Sequence, residues 1–349
     1  MQWIHFFNKS SFLLILFLFI NCTILLSDKK KDNSFQILIG LGIVQSIPDV
    51  YAKLVFMNPL FLSDTLNTSL ITDYSISNTS SSNKKLVLIH GWNTLDPALP
   101  SYPTENDLKN RVISQWEHIL RTDTVFLNTV IAKGYDVYFF TYLTSNSIEA
   151  NGIRFRYLLD KAFSTQNSNV YIFAHSMGGL VSRIALYQNN SPTYLNKLIS
   201  SGTPYHGSPW ASSSYQKDKS VIGDLAGFLT NTDGGQNLAW DNFDLSITSA
   251  SNSILSKYNS NISRDSLIKA YYGSINAGGS NYSGTDLTLT VGCLTLGSVF
   301  SPSDCVVPES SAKFSGGGIT QSVNIGGYNH VDLNLRVNAV KTQILSDLP

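Results

Sequence analysis

A serine flanked by small residues is the feature of this sequence with the clearest chemical potential. Ser176 stands in the stretch Ala-His-Ser-Met-Gly-Gly (174–179), between an apolar run at 170–174 and apolar residues at helical spacing over 180–185. A buried strand, a tight turn and a helix in this order are typical of a nucleophile elbow, in which a strained turn lifts the serine hydroxyl above the sheet. The alternative interpretation is a serine that only caps the helix.

A serine hydroxyl becomes a nucleophile when a base removes its proton, and the base needs a third group to orient it. Two histidines, His206 and His330, follow Ser176 by more than a few residues. Only His330 has a plausible acidic loop before it and a predicted strand leading into it, so we predict that His330 is the base. Asp304 is the predicted acid, and Asp286 is the alternative.

Two backbone amides are candidates for stabilising the negative oxygen that such a reaction creates. The apolar strand at 86–89 runs into His90-Gly-Trp92, a pattern with which enzymes of this elbow type begin a loop that donates one amide. We predict that Trp92 donates it, while the side chain of His90 holds the loop. Met177 follows the serine at a helix N-terminus, where the helix dipole supports the second amide.

Strand and helix patterns alternate around these residues. Apolar strands are predicted at 86–89, 135–142, 170–174, 266–273 and 319–325, and helices at 107–118, 151–163 and 331–345. Alternating Thr and Leu over 285–296 predicts an added hairpin. The alternation of strands and helices indicates an α/β fold, with a mostly parallel, doubly wound sheet and helices on both faces.

An insertion interrupts this pattern over residues 209–264. The stretch is rich in Ser, Asn, Asp and Gly and contains apolar islands at 221–229 and 238–247. An insertion of this length in an α/β domain is more often functional than idle, and its apolar islands need burial, so we predict a lid or cap. The alternative is a surface loop without fixed structure.

The N-terminal region has the pattern of an export signal. Residues 1–26 contain nine unbroken apolar residues at 12–20, whose last two begin the stretch Phe-Ile-Asn-Cys (19–22), which resembles a lipidation site. We predict a leader with Cys22 as the lipidated residue of an exported, membrane-anchored lipoprotein. A cleaved signal peptide of a secreted protein, or an uncleaved anchor, are the alternatives. Residues 27–83 then form an extension with the first strands, and 84–349 the catalytic domain.

The composition narrows the function classes. The chain has 349 residues with 24 basic and 24 acidic side chains, and it shows no basic stripe or arginine-rich run. Nucleic acid is therefore not an expected partner. The cysteines and histidines have no metal-ligand spacing, and we predict neither a metal nor a cofactor.

Five stretches in this order resemble bacterial secreted lipases and esterases of the α/β-hydrolase superfamily. They are Leu-Ile-His-Gly-Trp (88–92), Ala-His-Ser-Met-Gly-Gly (174–179), Gly-Thr-Pro-Tyr-His-Gly-Ser (202–208), Ser-Asp-Cys-Val-Val-Pro-Glu-Ser-Ser-Ala (303–312) and Tyr-Asn-His-Val-Asp (328–332). The resemblance implies the α/β-hydrolase fold and cleavage of carboxylic esters, with Ser176, Asp304 and His330 as catalytic triad. Some such lipases bind calcium through an aspartate in the place of Asp332. Arg336 stands at the position of a further ligand, which argues against calcium, and we do not claim a calcium site.

Cys293 and Cys305 lie on either side of the predicted acid. In an oxidising compartment they can form a disulfide that stiffens this loop, and the resemblance implies such a bridge nearby. Two separate buried thiols are the alternative.

These observations favour a serine lipase or esterase that acts on lipid or ester small molecules, because a lid with apolar islands suits lipid-like acyl groups. An acyltransferase with the same triad is the first alternative, since both reactions pass through an acyl-serine. A surface-binding protein on an inactive hydrolase scaffold is the second, and the complete triad argues against it.

Overall fold

The computed structural model describes residues 51–72, 82–93, 102–165, 167–213, 232–247, 250–284 and 290–349. The predicted leader at 1–26, Cys22, Asp286 and the apolar island at 221–229 lie outside these ranges. Among the described residues, no helix is both long enough and apolar enough to cross a membrane.

A single eight-stranded sheet forms the centre of the described part of the chain. Its strands are β1 (Lys53–Met57), β2 (Leu70–Ile71), β3 (Lys84–Ile89), β4 (Tyr135–Thr141), β5 (Asn169–His175), β6 (Leu195–Ser201), β7 (Ile268–Gly273) and β8 (Gln321–Gly326). The spatial order is β2-β1-β4-β3-β5-β6-β7-β8. Strand β1 is antiparallel to β2 and β4, and every other neighbouring pair, from β4–β3 to β7–β8, is parallel. The predicted, mostly parallel sheet is therefore confirmed.

Helices cover both faces of this sheet. They are α1 (Glu105–Glu117), α2 (Val125–Ala132), α3 (Ile148–Phe163), α4 (Met177–Tyr187), α5 (Asp233–Gln236), α6 (Ser253–Asn259), α7 (Thr290–Leu296), α8 (Glu309–Ala312) and α9 (Asn338–Ser346). The short helices Pro59–Ser63, His118–Thr122, Pro209–Ala211 and Asp265–Leu267 complete the described elements. Helices α3 and α4 pack on one face, and α1, α2 and α9 pack on the other.

Alternate residues of the central strands supply these two faces. In β3, Val87 and Ile89 face the core under α3 and α4, whereas Leu86 and Leu88 face the opposite core, and all four are fully buried. A strand buried on both sides is continuously apolar, which explains the unbroken run that predicts it.

Two predictions about local structure are wrong. Residues 290–296, within the stretch whose alternation predicts a hairpin, form helix α7. The closing helix begins at Asn338 rather than at residue 331. Leu335 has a positive φ of 57°, which an α-helix does not allow, so the chain turns between His330 and α9.

The described parts of the 209–264 insertion are packed. Leu238 and Leu255 lie in the core under α3 and α4. Trp240 and Ile247 form a smaller cluster with Leu296, the last residue of α7, and with Phe300. Three apolar side chains of the 238–247 island, Leu238, Trp240 and Ile247, are thus buried, whereas Phe243 and Leu245 are exposed.

Candidate active site

Ser176 lies on the sharp turn between β5 and α4. Its backbone has φ 54° and ψ −128°, a region that non-glycine residues rarely occupy, and its amide donates to the Ser201 carbonyl at 2.9 Å. Such a conformation costs on the order of 1–3 kcal/mol and persists only where the surrounding structure imposes it. The turn therefore has the strained geometry of a nucleophile elbow.

Small residues make this turn possible. A Cβ on Gly178 would lie 2.6 Å from the His90 carbonyl oxygen, and one on Gly179 would lie 1.8 Å from the Thr203 hydroxyl oxygen. Contacts below 3.0 Å force neighbouring atoms to move, so both glycines are needed where α4 begins.

The structure brings Ser176, His330 and Asp304 together in one hydrogen-bonded row. His330 Nε2 lies 2.8 Å from Ser176 Oγ, and His330 Nδ1 lies 2.7 Å from Asp304 Oδ2. The three residues follow β5, β7 and β8, whose carboxyl ends meet at one edge of the sheet. All three are buried, with Asp304 1% exposed. Because the carboxylate only accepts, Nδ1 carries a hydrogen and Nε2 presents its lone pair to the serine hydroxyl.

Asp304 is held in place from several sides. Its Oδ1 accepts hydrogen bonds from the Val306 and Val307 amides at 3.0 and 2.7 Å, and its carbonyl accepts from the His330 amide at 2.9 Å. Gly202, with φ 60°, passes so close that a Cβ there would lie 3.0 Å from Asp304 Oδ2. Oδ2 is thereby left to face the imidazole.

His175, next to the serine, points toward the loop that carries His330. Its Nε2 donates to the His330 carbonyl at 2.8 Å, and the two rings lie 4.8 Å apart. Burial and the neighbouring His330 keep the pKa of His175 well below its usual value. A neutral imidazole can therefore support the His330 loop without adding a charge.

His90 is buried behind the loop that carries Trp92. Its Nδ1 donates to the Gly91 carbonyl at 2.6 Å, and its ring stacks on Tyr142 at 4.5 Å. Burial, with the positive charge of Arg111, lowers the pKa of His90 to about 3. The side chain thus holds the loop by a hydrogen bond, the position that we predict for it.

The two residues expected to donate oxyanion amides are Met177, which directly follows Ser176, and Trp92, which follows Gly91. Met177 is the first residue of α4, so its amide has no acceptor one turn earlier within the helix. Trp92 is half-buried beside the core. Gly91, which precedes it, directly contacts Ser176: a Cβ on this glycine would lie 2.7 Å from Ser176 Cβ.

The Gly-Thr-Pro-Tyr-His-Gly-Ser stretch after β6 has a role that residue types alone do not indicate. Ser208 Oγ donates to the Val306 carbonyl at 2.6 Å. Ser311 Oγ donates to the Gly207 carbonyl at 2.8 Å and accepts from the His206 amide at 2.9 Å. These bonds support the loop that carries Asp304. The available signal was position, since the stretch leaves the carboxyl end of a strand beside the elbow.

A disulfide joins Cys293 to Cys305, with the two Cα atoms 4.2 Å apart. Cys305 directly follows Asp304, and Cys293 lies in α7. The bridge therefore ties the residue after the predicted acid to a helix, at the place expected.

Asp332 lies beside Asn329 and Tyr282 in the described structure. It is buried, and its Oδ2 accepts from the Asn329 amide at 3.1 Å and from the Tyr282 hydroxyl at 3.3 Å. Within the described ranges, no three histidine, cysteine or acidic residues are grouped to hold a metal ion.

The chain is similar to several known proteins. Residues 105–223 match the family model of a PGAP1-like alpha/beta domain. The mature lipase BlEst2 of Bacillus licheniformis is 20% identical, with a TM-score of 0.49 over 77% of this chain and 94% of that chain. EstA of Clostridium botulinum is 13% identical, with a TM-score of 0.42 over 78% and 88% of the two chains. An esterase of Exiguobacterium antarcticum is also 13% identical, with a TM-score of 0.39 over 76% and 92%. No curated protein matches the sequence.

The matched family segment includes the elbow but ends before the strands that lead to residues 304 and 330. The fold is assigned from the structure itself. Its parallel strands, the helices on both faces of the sheet and the serine turn after β5 together form the architecture in which a nucleophile elbow occurs. These features give the chain the α/β-hydrolase fold, as predicted.

Proposed function

We propose that this chain is a serine carboxylic-ester hydrolase of the lipase or esterase type, with Ser176, His330 and Asp304 as its catalytic triad. One observation carries the proposal: the continuous row of hydrogen bonds from Ser176 Oγ through both nitrogens of His330 to Asp304 Oδ2, at 2.8 and 2.7 Å. These distances lie within the range that proton transfer from a nucleophile to a general base requires.

Each residue has a defined part in the reaction. His330 Nε2 removes the hydroxyl proton as Ser176 Oγ attacks the ester carbonyl, which gives a tetrahedral intermediate with a negative oxygen. When this intermediate collapses, His330 returns the proton to the leaving alcohol and the acyl group stays on Ser176. Water then attacks the acyl-serine while His330 takes its proton. The second tetrahedral intermediate collapses as His330 returns this proton to Ser176 Oγ, and the acid product leaves.

Fixed hydrogen bonds prepare the site for this sequence of steps. The Asp304 carboxylate orients the imidazole and stabilises the imidazolium that forms. The amides of Trp92 and Met177 are the proposed donors to the negative oxygen, and Met177 adds the favourable end of the α4 dipole.

The proposed substrates are esters with lipid-like acyl groups, because the 209–264 insertion, proposed as a lid, carries apolar residues. Export is proposed as well. The disulfide between Cys293 and Cys305 supports it, because such bridges persist in oxidising compartments. Anchoring through Cys22 remains part of this proposal, and palmitate labelling that survives Cys22→Ser would exclude it.

Hydrolysis of short and long p-nitrophenyl esters by the purified protein tests the function. We expect Ser176→Ala to lose on the order of a million-fold in turnover, as serine removal does in a comparable triad. Ser182→Ala is a matched control: this serine lies in α4, the helix that follows Ser176, is buried, and its hydroxyl has no hydrogen-bond partner in the described structure. Its removal should be nearly neutral. Equal rates for wild type and Ser176→Ala would reject the proposal.

A further inference from the structure

Gly91 lies directly against the nucleophile, and the peptide between Gly91 and Trp92 starts at this residue. A Cβ built on Gly91 would lie 2.7 Å from Ser176 Cβ and 3.2 Å from Ser176 Oγ. The orientation of this peptide therefore decides whether its N–H group, which belongs to Trp92, is directed at an oxygen bound to the serine.

Two side chains fix the two carbonyls of this loop. The Tyr142 hydroxyl donates to the His90 carbonyl at 2.7 Å, and His90 Nδ1 donates to the Gly91 carbonyl at 2.6 Å. In a trans peptide the N–H points opposite to the C=O. Since the Gly91 carbonyl is drawn toward the His90 ring, the Trp92 N–H is turned away from that ring.

The protonation state of His90 suits a donor to the Gly91 carbonyl. A carbonyl oxygen only accepts, so Nδ1 must carry the hydrogen. Burial and Arg111 lower the pKa of His90 to about 3, so the ring is neutral at ordinary pH. Its Nε2 is buried and has no hydrogen-bond partner in the described ranges. The imidazole is thus stacked on the Tyr142 ring and donates one hydrogen bond, to the Gly91 carbonyl.

We infer that His90 and Tyr142 are positioning residues that aim the Trp92 amide at the developing oxyanion. The inference rests on the proposed function and deepens it, because it assigns the direction of one oxyanion donor to two buried side chains that do not touch the substrate. A donor fixed in advance needs no reorganisation during the reaction, which is the source of most of its effect.

Three variants of the full chain separate positioning from general support of the loop. His90→Leu keeps an apolar side chain but removes the donor. His90→Asn keeps an N–H group at the same number of bonds from Cα as Nδ1. Tyr142→Phe removes one hydroxyl. Each is compared with wild type in kcat and KM for the best p-nitrophenyl ester, in inhibition by an alkylboronic acid, which forms a tetrahedral adduct, and in the rate of fluorophosphonate labelling of Ser176.

We expect His90→Leu to lose about 100-fold in kcat with KM little changed, since removing one oxyanion donor costs 10²–10³. Boronic acid affinity and labelling rate should fall in parallel, whereas a merely weakened loop would raise KM as well. His90→Asn should recover most of the loss, and Tyr142→Phe should lose roughly tenfold, because it frees only one of the two carbonyls. Tyr194→Phe, which removes a buried hydroxyl bonded to Asp160 at 2.6 Å, is the control without effect.

A folded His90→Leu with labelling and kcat within about threefold of wild type would overturn the inference, as would equal losses in the Leu and Asn variants. If His90→Leu does not fold, unchanged labelling of Tyr142→Phe overturns it. Labelling also separates the two proposals: a wild type labelled at Ser176 that cleaves no ester contradicts the function, while the labelling rates still decide the role of His90. A wild type that is neither labelled nor active contradicts both.

Discussion

The part of the chain that the structure describes contains two buried histidine–aspartate pairs that are almost identical in length. His330 Nδ1 lies 2.7 Å from Asp304, with side chains 11% and 1% exposed. His206 Nδ1 lies 2.8 Å from Asp241, with side chains 7% and 6% exposed. Both histidines follow Ser176 in the sequence, and both stand just beyond the carboxyl end of a strand.

The difference lies on the other ring nitrogen. His330 Nε2 faces the Ser176 hydroxyl, whereas His206 Nε2 faces the carbonyl of Ser315 at 2.8 Å. A carbonyl offers no proton, so an imidazole between a carboxylate and a carbonyl can only donate. His206 also stacks on Phe243 at 3.8 Å, inside the 209–264 insertion. A histidine–aspartate pair therefore indicates a general base only when a hydroxyl completes it, and otherwise it joins segments.

The largest expected effect separates the two histidines. His330→Ala should reduce ester turnover on the order of a million-fold, as loss of the base does in a comparable triad. His206→Ala should keep turnover within about tenfold of wild type, because it touches no reacting atom, and should lower the melting temperature instead. Steady-state kinetics and thermal melts of the same samples measure both. Comparable turnover losses in the two folded variants would end the distinction.

The two aspartates form the next comparison. Asp304→Asn should reduce turnover on the order of 10⁴-fold, because an amide favours the wrong imidazole tautomer. Asp241→Asn should instead destabilise the fold by about 2 kcal/mol, the typical value of a hydrogen bond to a charged group. Its side chain also accepts from Asn259, so urea unfolding should reveal a loss even where turnover persists. An Asp241→Asn variant of wild-type stability would contradict this assignment.

Another histidine, the half-buried His118, is hydrogen-bonded to a carbonyl instead of a carboxylate, and its titration makes the stability of the fold depend on pH. His118 Nε2 donates to the Asn334 carbonyl at 2.6 Å, and burial, aided by Arg336, lowers its pKa to about 4. The unfolded chain takes up this proton near pH 6.5, before the folded chain does. Stability is therefore complete above pH 6.5 and is lost as pH falls toward 4, by up to about 3 kcal/mol.

His118→Gln removes the titration and keeps an N–H group at the position of Nε2. Urea unfolding at pH 7.5 and pH 4.5 should show a smaller loss of stability on acidification than in wild type. The same loss in both proteins would assign the acid sensitivity to other groups.

The sequence predicts the central strands and the sharp serine turn well, because each depends on local pattern, and it selects three residues whose side chains the structure brings together. The apolar run before Ser176 and the glycines after it allow little else at a buried parallel strand that turns into a helix. The order serine, acid, histidine then leaves few candidates.

Features that depend on distant contacts were not predictable. Helix α7 replaces the expected hairpin where Gly292 packs against the Cys305 carbonyl, a neighbour distant in sequence. Ser208 and Ser311 support the loop of Asp304 through bonds that span about 100 residues. The positive φ of Leu335, which delays α9, has no signal in its residue type, since leucine rarely adopts it.

Trapping the acyl-enzyme tests the central claim most directly. The protein is mixed with a slowly hydrolysed p-nitrophenyl ester, quenched in acid within the first turnover, digested and examined by mass spectrometry. We predict one acyl group on the peptide that contains Ser176, and none on that peptide in Ser176→Ala. Ester hydrolysis without acylation of Ser176, or the same acylation in the variant, would contradict the account.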